Sequence, residues 1–254
     1  MDEKISIAII GYGRMGREIE TIARSEGIRV AAIIDPAKEG ATGKEITEET
    51  IGEAEIAIDF SSPGSVIGNI RRVAGLKKNI VIGTTGWYGQ MEEARRLIEK
   101  EGTGLIYSPN FSIGVNIFFQ IVKEAAFLID KFPGYDPYVY ELHHNQKTDA
   151  PGGTAKELGS IILQNIKRKK SMVFDRVSDR KIDPAEVHVA SIRAGQMPGT
   201  HVVGFDGAAD TIELKHTARS RAGFAEGAIE AAKWIKGRKG FYSMKNLIES
   251  YADK

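Results

Sequence analysis

Ile7-Ala8-Ile9-Ile10-Gly11-Tyr12-Gly13-Arg14-Met15-Gly16 decides the fold. The apolar, β-branched run from Lys4 to Ile10 reads as a strand buried on both faces of a parallel sheet. Gly11 stops it, and the G-x-G-x-x-G spacing of Gly11, Gly13 and Gly16 opens a helix with Ile19, Ile22 and Ala23 on one side. The first glycine permits a tight turn, the second lets backbone approach a pyrophosphate, and the third lets helix pack on strand. An anion then rests on the helix N-terminus, where unpaired N–H groups and the helix dipole favour it. A second apolar run, Val30 to Ile34, ends at Asp35, where a carboxylate accepts hydrogen bonds from ribose hydroxyls. The six-residue spacing alone is weak, and a glycine turn that binds nothing has the same pattern; its place between strand and helix, with Asp35 downstream, points to a dinucleotide. The cofactor candidates are Gly11, Tyr12, Gly13, Arg14, Met15, Gly16 and Asp35.

Outward from this unit the alternation continues. Ile56–Phe60 reads as a strand, Gly64 to Ala74 as a helix, Asn79–Gly83 as a strand, Met91–Glu101 as a charged helix and Gly104–Ser108 as a fifth strand. This rhythm predicts an α/β fold with a doubly wound parallel sheet. Gly83, Thr84 and Thr85, and likewise Ser108, Pro109, Asn110 and Phe111, follow the fourth and fifth strands at the edge where open α/β sheets bind ligands, and are expected beside the nicotinamide half. After Asn110 the rhythm changes. Phe118, Ile121, Val122, Ala125 and Leu128 form one helical stripe before the breaker Phe132-Pro133-Gly134-Tyr135-Asp136-Pro137. Val139–His144, Val187–Arg193, His201–Phe205 and Thr211–Thr217 then suggest a second, partly antiparallel sheet, and Phe224–Ile235 and Tyr242–Tyr251 read as helix. The polar runs Lys167–Lys170 and Asp175–Lys181 read as solvated loop.

Composition excludes several classes. The 254 residues carry 35 Lys and Arg against 34 Asp and Glu, a formal charge of +1, and these charges are scattered. No basic stripe is available for nucleic acid or an acidic membrane. At 42% hydrophobic and 27% charged the chain has the usage of a folded protein. With no cysteine, thiolate nucleophiles, disulfides and Cys-ligated metals are excluded. The N-terminus lacks a signal-peptide pattern and no stretch nears the ~20 apolar residues of a bilayer span, so a cytoplasmic location is expected.

The densest polar cluster runs from Glu141 to Ala155: Glu-Leu-His-His-Asn-Gln-Lys-Thr-Asp-Ala-Pro-Gly-Gly-Thr-Ala. His143, His144 and Lys147 supply donors and a titratable pair, and Gly152-Gly153-Thr154 turns into a helix whose start favours an anion. Adjacent strand side chains point to opposite faces, so His143 and His144 do not chelate one ion, and no metal is expected. A carboxylate-binding catalytic loop fits the set.

Gly11–Gly16, Gly83-Thr84-Thr85-Gly86, Asn110-Phe111-Ser112-Ile113-Gly114-Val115-Asn116, the Glu141–Ala155 block and Arg193-Ala194-Gly195 occur in the order, and over nearly the whole length, in which the 4-hydroxy-tetrahydrodipicolinate (dihydrodipicolinate) reductase family has them. The chain resembles that family, most specifically in its His-His-x-x-Lys-x-Asp-Ala-Pro-x-Gly-Thr segment. The resemblance implies a Rossmann-type domain over residues 1–112, completed by 221–254, with an inserted α+β substrate and tetramerisation domain over 113–220. It implies NAD(P)H-dependent reduction of 4-hydroxy-tetrahydrodipicolinate to tetrahydrodipicolinate in lysine and diaminopimelate biosynthesis, a small dicarboxylate substrate and a homotetramer. It also implies roles: His143 as acid/base, Lys147 as proton donor, and His144 with Gly153 and Thr154 as the dicarboxylate site. A lysine, with a reference pKa of about 10.4, suits the donor's part.

Two departures stand out. Gly152 replaces the family's usual Ser, removing a hydroxyl from the carboxylate site, and Pro36 follows Asp35 where NADPH users often carry Arg. Asp35 would repel a 2′-phosphate, while Arg14 and Lys38 could offset it, so a preference for NADH or acceptance of both NADH and NADPH is expected. A dehydrogenase of similar layout acting on another small metabolite, and a nucleotide-binding sensor without turnover, are the competing readings; the His143–Thr154 segment argues against both.

Overall fold

The computed structural model describes residues 5–174, 177, 178 and 180–252. Lys4, at the start of the expected first strand, and Asp175, Arg176 and Asp179 of the expected polar loop lie outside these residues. In chain order the elements are β1 (Ser6–Ile10), α1 (Arg14–Ser25), β2 (Arg29–Ile34), α2 (Glu48–Ile51), β3 (Ile56–Asp59), α3 (Val66–Gly75), β4 (Asn79–Ile82), α4 (Met91–Glu101), β5 (Gly104–Tyr107) and α5 (Ile113–Ile129). There follow β6 (Asp136–His143), α6 (Gly153–Asn165), β7 (Ser171–Phe174), β8 (Glu186–Arg193), β9 (Thr200–Asp206), β10 (Thr211–Thr217), α7 (Ala222–Ile235), β11 (Gly240–Ser243) and α8 (Met244–Ala252).

By its internal packing the chain divides into two compact units, residues 1–113 with 222–254, and residues 114–221. The first unit holds a parallel six-stranded sheet in the order β11-β5-β4-β3-β1-β2. Its central strands β1, β3, β4 and β5 are largely apolar because both faces are buried, with Asp59 at the end of β3 a buried exception. Ile7 and Ile9 pack with Ile19 and Ala23 of α1 and Ala228, Ile229 and Ala232 of α7, while Ala8 and Ile10 pack with Ile70 and Val73 of α3 and Ala94 and Ile98 of α4. Burying each such isoleucine is worth roughly 1.5–3 kcal/mol. From β1 the chain crosses to β2 on one side and β3 on the other, which places a topological switch point at the carboxyl end of β1.

The second unit holds a mixed sheet in the order β10-β9-β6-β8-β7, antiparallel from β10 to β6 and parallel from β6 to β7. Val139, Val189 and Val203 face α5 and α6 across an apolar core that includes Phe118, Val122, Leu158 and Ile162. The opposite face carries Tyr138, Tyr140, Leu142 and the 49% exposed Ile192.

Two expectations need correction. Tyr242 and Ser243, expected in a helix, belong with Gly240 and Phe241 to edge strand β11, paired in parallel with β5, and α8 begins only at Met244. Lys169, expected on a solvated face, is buried, its Nζ donating to Asp136 and to the carbonyls of Pro184 (2.8 Å) and Glu186 (2.7 Å). Those three acceptors satisfy an ammonium that is otherwise costly to bury. No helix of the described residues is long and apolar enough to cross a membrane.

Candidate active site

In the first unit the glycine loop is held from below. Tyr12 N–H donates to Asp35 Oδ2 at 2.8 Å, while Asp35 Oδ1 accepts from the N–H groups of Ala37 (2.9 Å) and Lys38 (3.0 Å). Pro36 has no N–H to offer, so the carboxylate reaches past it. Burial would raise the Asp35 carboxyl, but these three backbone donors hold it below its ordinary value, leaving an anion at the end of β2. Gly11 has φ +87, and a Cβ at Gly16 would overlap the Gly11 carbonyl oxygen. At Gly13 a Cβ would meet nothing within 4 Å, and α1 starts there with no side-chain cap and no acidic residue in its first turn. Open space before an uncapped helix start fits a pyrophosphate. Tyr12 turns its hydroxyl to Glu20 and its ring to Arg17, 4.8 Å away, while Arg14 is exposed and Met15 half-buried at the helix start.

The loops after β3, β4 and β5 border the same sheet edge, but several of their side chains are committed within the protein. Buried Asp59 accepts from Ser61 Oγ (2.6 Å), Asn69 Nδ2 (2.8 Å) and Thr84 Oγ1 (2.9 Å), and the Thr84 carbonyl accepts from Trp87 Nε1 (2.8 Å). Burial pushes the Asp59 carboxyl up against those donors. Ser108 Oγ donates to the Asn110 carbonyl (2.6 Å), and Phe111 is buried against Phe60. Of the sequence candidates here, Thr85 and Pro109 border the edge without such commitments among the hydrogen bonds described, whereas Gly83 donates its N–H to the Asp59 carbonyl (2.9 Å) and Thr84, Ser108 and Phe111 brace the loops.

In the second unit, strand register builds the polar cluster. Glu141 on β6 pairs with His201 on β9 and with Ser191 on β8, and His143 pairs with Arg193, so these side chains share the face that deeper in the sheet is apolar. Glu141 is fully buried, and its Oε1 accepts from Arg193 Nη2 (2.6 Å), Gly152 N–H (2.9 Å) and Ser191 Oγ (3.2 Å). Its Oε2 lies 3.5 Å from both His143 Nδ1 and His201 Nε2. Burial would raise this carboxyl, but His201, the Gly152 N–H, Arg193 and His143 hold it well below the usual carboxylate range. Burial pushes His143 down to about 4, with Glu141 opposing and His201, Lys147 and Arg193 adding to the fall. His143 is therefore neutral at pH 7.

Lys147 is half-buried and its Nζ donates to Asp149 Oδ1 at 2.5 Å. Arg193 Nη2 also donates to the Asp149 carbonyl, tying the loop to the sheet. Helix α6 begins beyond it at Gly153, preceded by Gly152 at the N-cap position with no side-chain cap, so Gly153 and Thr154 stand at a helix start that favours an anion. His144 is half-buried just past β6, its backbone N–H on the Met197 carbonyl (2.9 Å). Glu141 and His201 were not among the sequence candidates; only strand register unites them, although Glu141 opened the polar segment. Glu141, His143 and His201 each place a ligand-type atom within 4.8 Å of the others, the spacing of a cation's ligand shell. Arg193 already puts a positive charge on the same carboxylate, and Lys147 stands nearby, so a dication there is disfavoured.

Family profiles described as dihydrodipicolinate reductase, N-terminus, and dihydrodipicolinate reductase, C-terminus, match residues 5–111 and 114–248. The chain belongs to the dihydrodipicolinate reductase family. Relatives named 4-hydroxy-tetrahydrodipicolinate reductase include those of Christiangramia forsetii, 35% identical over 96% of this chain and 98% of its own, and Archaeoglobus fulgidus, 38% identical over 96% and 99%. Among solved structures, dipicolinate-bound dihydrodipicolinate reductase from Paenisporosarcina sp. TG-14 shares the fold, with a TM-score of 0.78 at 22% identity over 96% of this chain and 100% of that one. Membership makes the chain an oxidoreductase that uses NADH or NADPH, as the Gly11–Gly16 loop led us to expect.

Proposed function

We infer that the chain reduces 4-hydroxy-tetrahydrodipicolinate, with NADH or NADPH and a proton, to tetrahydrodipicolinate and water, the reaction for which its relatives are named. The observation that carries this reading is the grouping of His143, His144, Lys147 and an uncapped helix start at Gly153–Thr154 on one short segment. Gly11–Gly16 would hold the cofactor's pyrophosphate and Asp35 its ribose, with Gly83, Thr84, Thr85 and Ser108–Phe111 bordering the nicotinamide half, and the chemistry such a cofactor would supply is a hydride. The backbone N–H groups of Gly153 and Thr154 receive one substrate carboxylate, with no hydroxyl from Gly152 to help, and His144 contacts the dicarboxylate. Lys147 leaves Asp149 to offset the substrate's charge and protonates the ring position that gains electron density. His143, neutral at rest, acts as acid/base, taking the ring C–H proton and returning it to the departing 4-hydroxyl, which leaves as water.

In this reading a domain of residues 1–112 with 221–254, bounds that differ by one residue at each junction from those of the first unit, carries the cofactor, and the inserted 113–220 carries the substrate. The insert also supplies the contacts of a homotetramer. Half-exposed Tyr138, Tyr140 and Leu142 and exposed Ile192 on one sheet face are the support for that assembly. A soluble cytoplasmic location accords with such chemistry.

The test follows loss of reduced-nicotinamide absorbance with substrate freshly made from pyruvate and aspartate semialdehyde by a synthase. Wild type turns over, and His143→Gln and Lys147→Ala each lose roughly 100-fold or more in kcat. Cofactor binding without oxidation in the wild type would sink the assignment.

A further inference from the structure

Glu141 has an asymmetry that the reaction above does not use. Its Oε1 is saturated by Gly152 N–H, Arg193 Nη2 and Ser191 Oγ at 2.9, 2.6 and 3.2 Å. Its Oε2, buried and without a hydrogen-bond partner, stands 3.5 Å from His143 Nδ1 and from His201 Nε2, and those two nitrogens are also buried without partners. Three unsatisfied buried atoms in one spot are costly, and a shift of about 0.5 Å at each of the two imidazole rings closes both gaps to hydrogen bonds. Site hydrogen bonds commonly lengthen in a ligand-free enzyme and tighten on binding. On the far side of the His143 ring, a Cβ at Gly199 would lie 2.9 Å from Nε2, so the missing side chain keeps that nitrogen uncovered.

We propose that Glu141 is the positioning residue of the reductase site: its Oε2 accepts Nδ1–H of His143 and Nε2–H of His201, fixing the His143 proton on Nδ1 and leaving Nε2 as the lone-pair nitrogen. His201 acts as the second arm that keeps Oε2 from turning away. The consequence is directional. With Nδ1 protonated, the resting imidazole accepts a proton at Nε2 and does not give one, which leaves donation to Lys147. The charged and titratable groups facing His143 are Glu141, His201, Lys147 and Arg193, and of these Glu141 alone is an anion.

Glu141→Gln tests this with little change of shape. Three donors fix an acceptor at the Oε1 position, so the amide oxygen must sit there and the NH2 group must replace Oε2. A donor then faces Nδ1, and the His143 proton moves to Nε2. The inference rests on the proposed role of His143, yet its readout is independent of turnover. Long-range proton–nitrogen correlation spectra of 15N-histidine protein at pH 7.5, with His143 assigned by its absence in His143→Gln, show the Nδ1–H tautomer in wild type and the Nε2–H tautomer in Glu141→Gln. In the absorbance assay the variant loses roughly 100-fold or more in kcat while KM for both substrates stays within about 3-fold, the signature of a misplaced tautomer. An Nε2–H tautomer in wild type, or an unchanged tautomer in a folded Glu141→Gln, overturns the proposal whatever happens to the rate. If the variant does not fold by circular dichroism, the wild-type tautomer alone decides. Zinc retained at one per chain after dialysis and bound through His143 Nδ1 would also overturn it. A wild type with the Nδ1–H tautomer but no turnover would leave Glu141's role standing and remove the proposed reaction instead.

Discussion

Protonation of His143 should be readable as stability. In the folded chain it titrates near 4, against 6.5 for the ordinary side chain. The unfolded chain therefore takes up this proton first as pH falls. The folded state keeps its full advantage above 6.5, loses it progressively toward 4 and then levels off. At about 1.36 kcal/mol per pKa unit, the loss from His143 between pH 7 and pH 5 is about 2 kcal/mol. Glu141, held below the carboxylate range, does not titrate in that window. Half-buried His216, also depressed, falls in the same direction but is present in both proteins being compared. Urea unfolding of wild type and His143→Gln at pH 7 and pH 5 should thus show the variant losing about 2 kcal/mol less on acidification. Far-UV circular dichroism is the suitable probe, because both tryptophans, Trp87 and Trp234, belong to the first unit and emission does not report on the second. Equal pH slopes in the two proteins would refute the buried, neutral His143 on which the assignment of base and donor depends.

Lys169→Met strips two part-buried carbonyls and Asp136 of their buried donor and should cost roughly 1–3 kcal/mol, whereas Lys170→Ala, whose amine donates to the exposed Lys167 carbonyl (2.7 Å), should stay within about 0.5 kcal/mol; thermal unfolding of both decides. Gly16→Ala forces its Cβ against the Gly11 carbonyl and should weaken NADH binding by roughly 10-fold or more, measured by nicotinamide fluorescence, while a fold-wide loss of circular dichroism would instead indicate general unfolding. Pro36→Arg, beside an ionised Asp35, should raise the ratio of kcat/KM for NADPH over NADH by roughly 10-fold, and an unmoved ratio would refute the account of cofactor choice.

The parallel sheet was legible because doubly buried strands such as Ile7–Ile10 and Asn79–Ile82 read as apolar runs, and Gly11, Gly16 and Asp35 carry separate physical demands. β11 was not. Four residues, Gly240–Ser243, run straight into α8, so only their pairing with β5 distinguishes them from the first turn of the helix. At the site, His143, Lys147 and Gly153–Thr154 could be found because they are neighbours in sequence. His201 meets Glu141 only through antiparallel register between β6 and β9, a non-local choice that local pattern does not encode. Thr84 and Phe111 show the converse: a place on the ligand edge was readable, but a hydroxyl engaged by Asp59 and a ring buried beside Phe60 follow from packing between loops. Lys169 looked like its solvated neighbours because a lysine run does not reveal which amine meets three acceptors.

Transfer of hydride from cofactor to ring is the central claim, and isotope tracing tests it most directly. With NADH deuterated at both C4 positions and substrate generated in place from pyruvate and aspartate semialdehyde, mass spectrometry should find tetrahydrodipicolinate carrying one deuterium for each NADH oxidised. Cofactor oxidised without deuterium in that product, or deuterium appearing in another metabolite, would contradict the account.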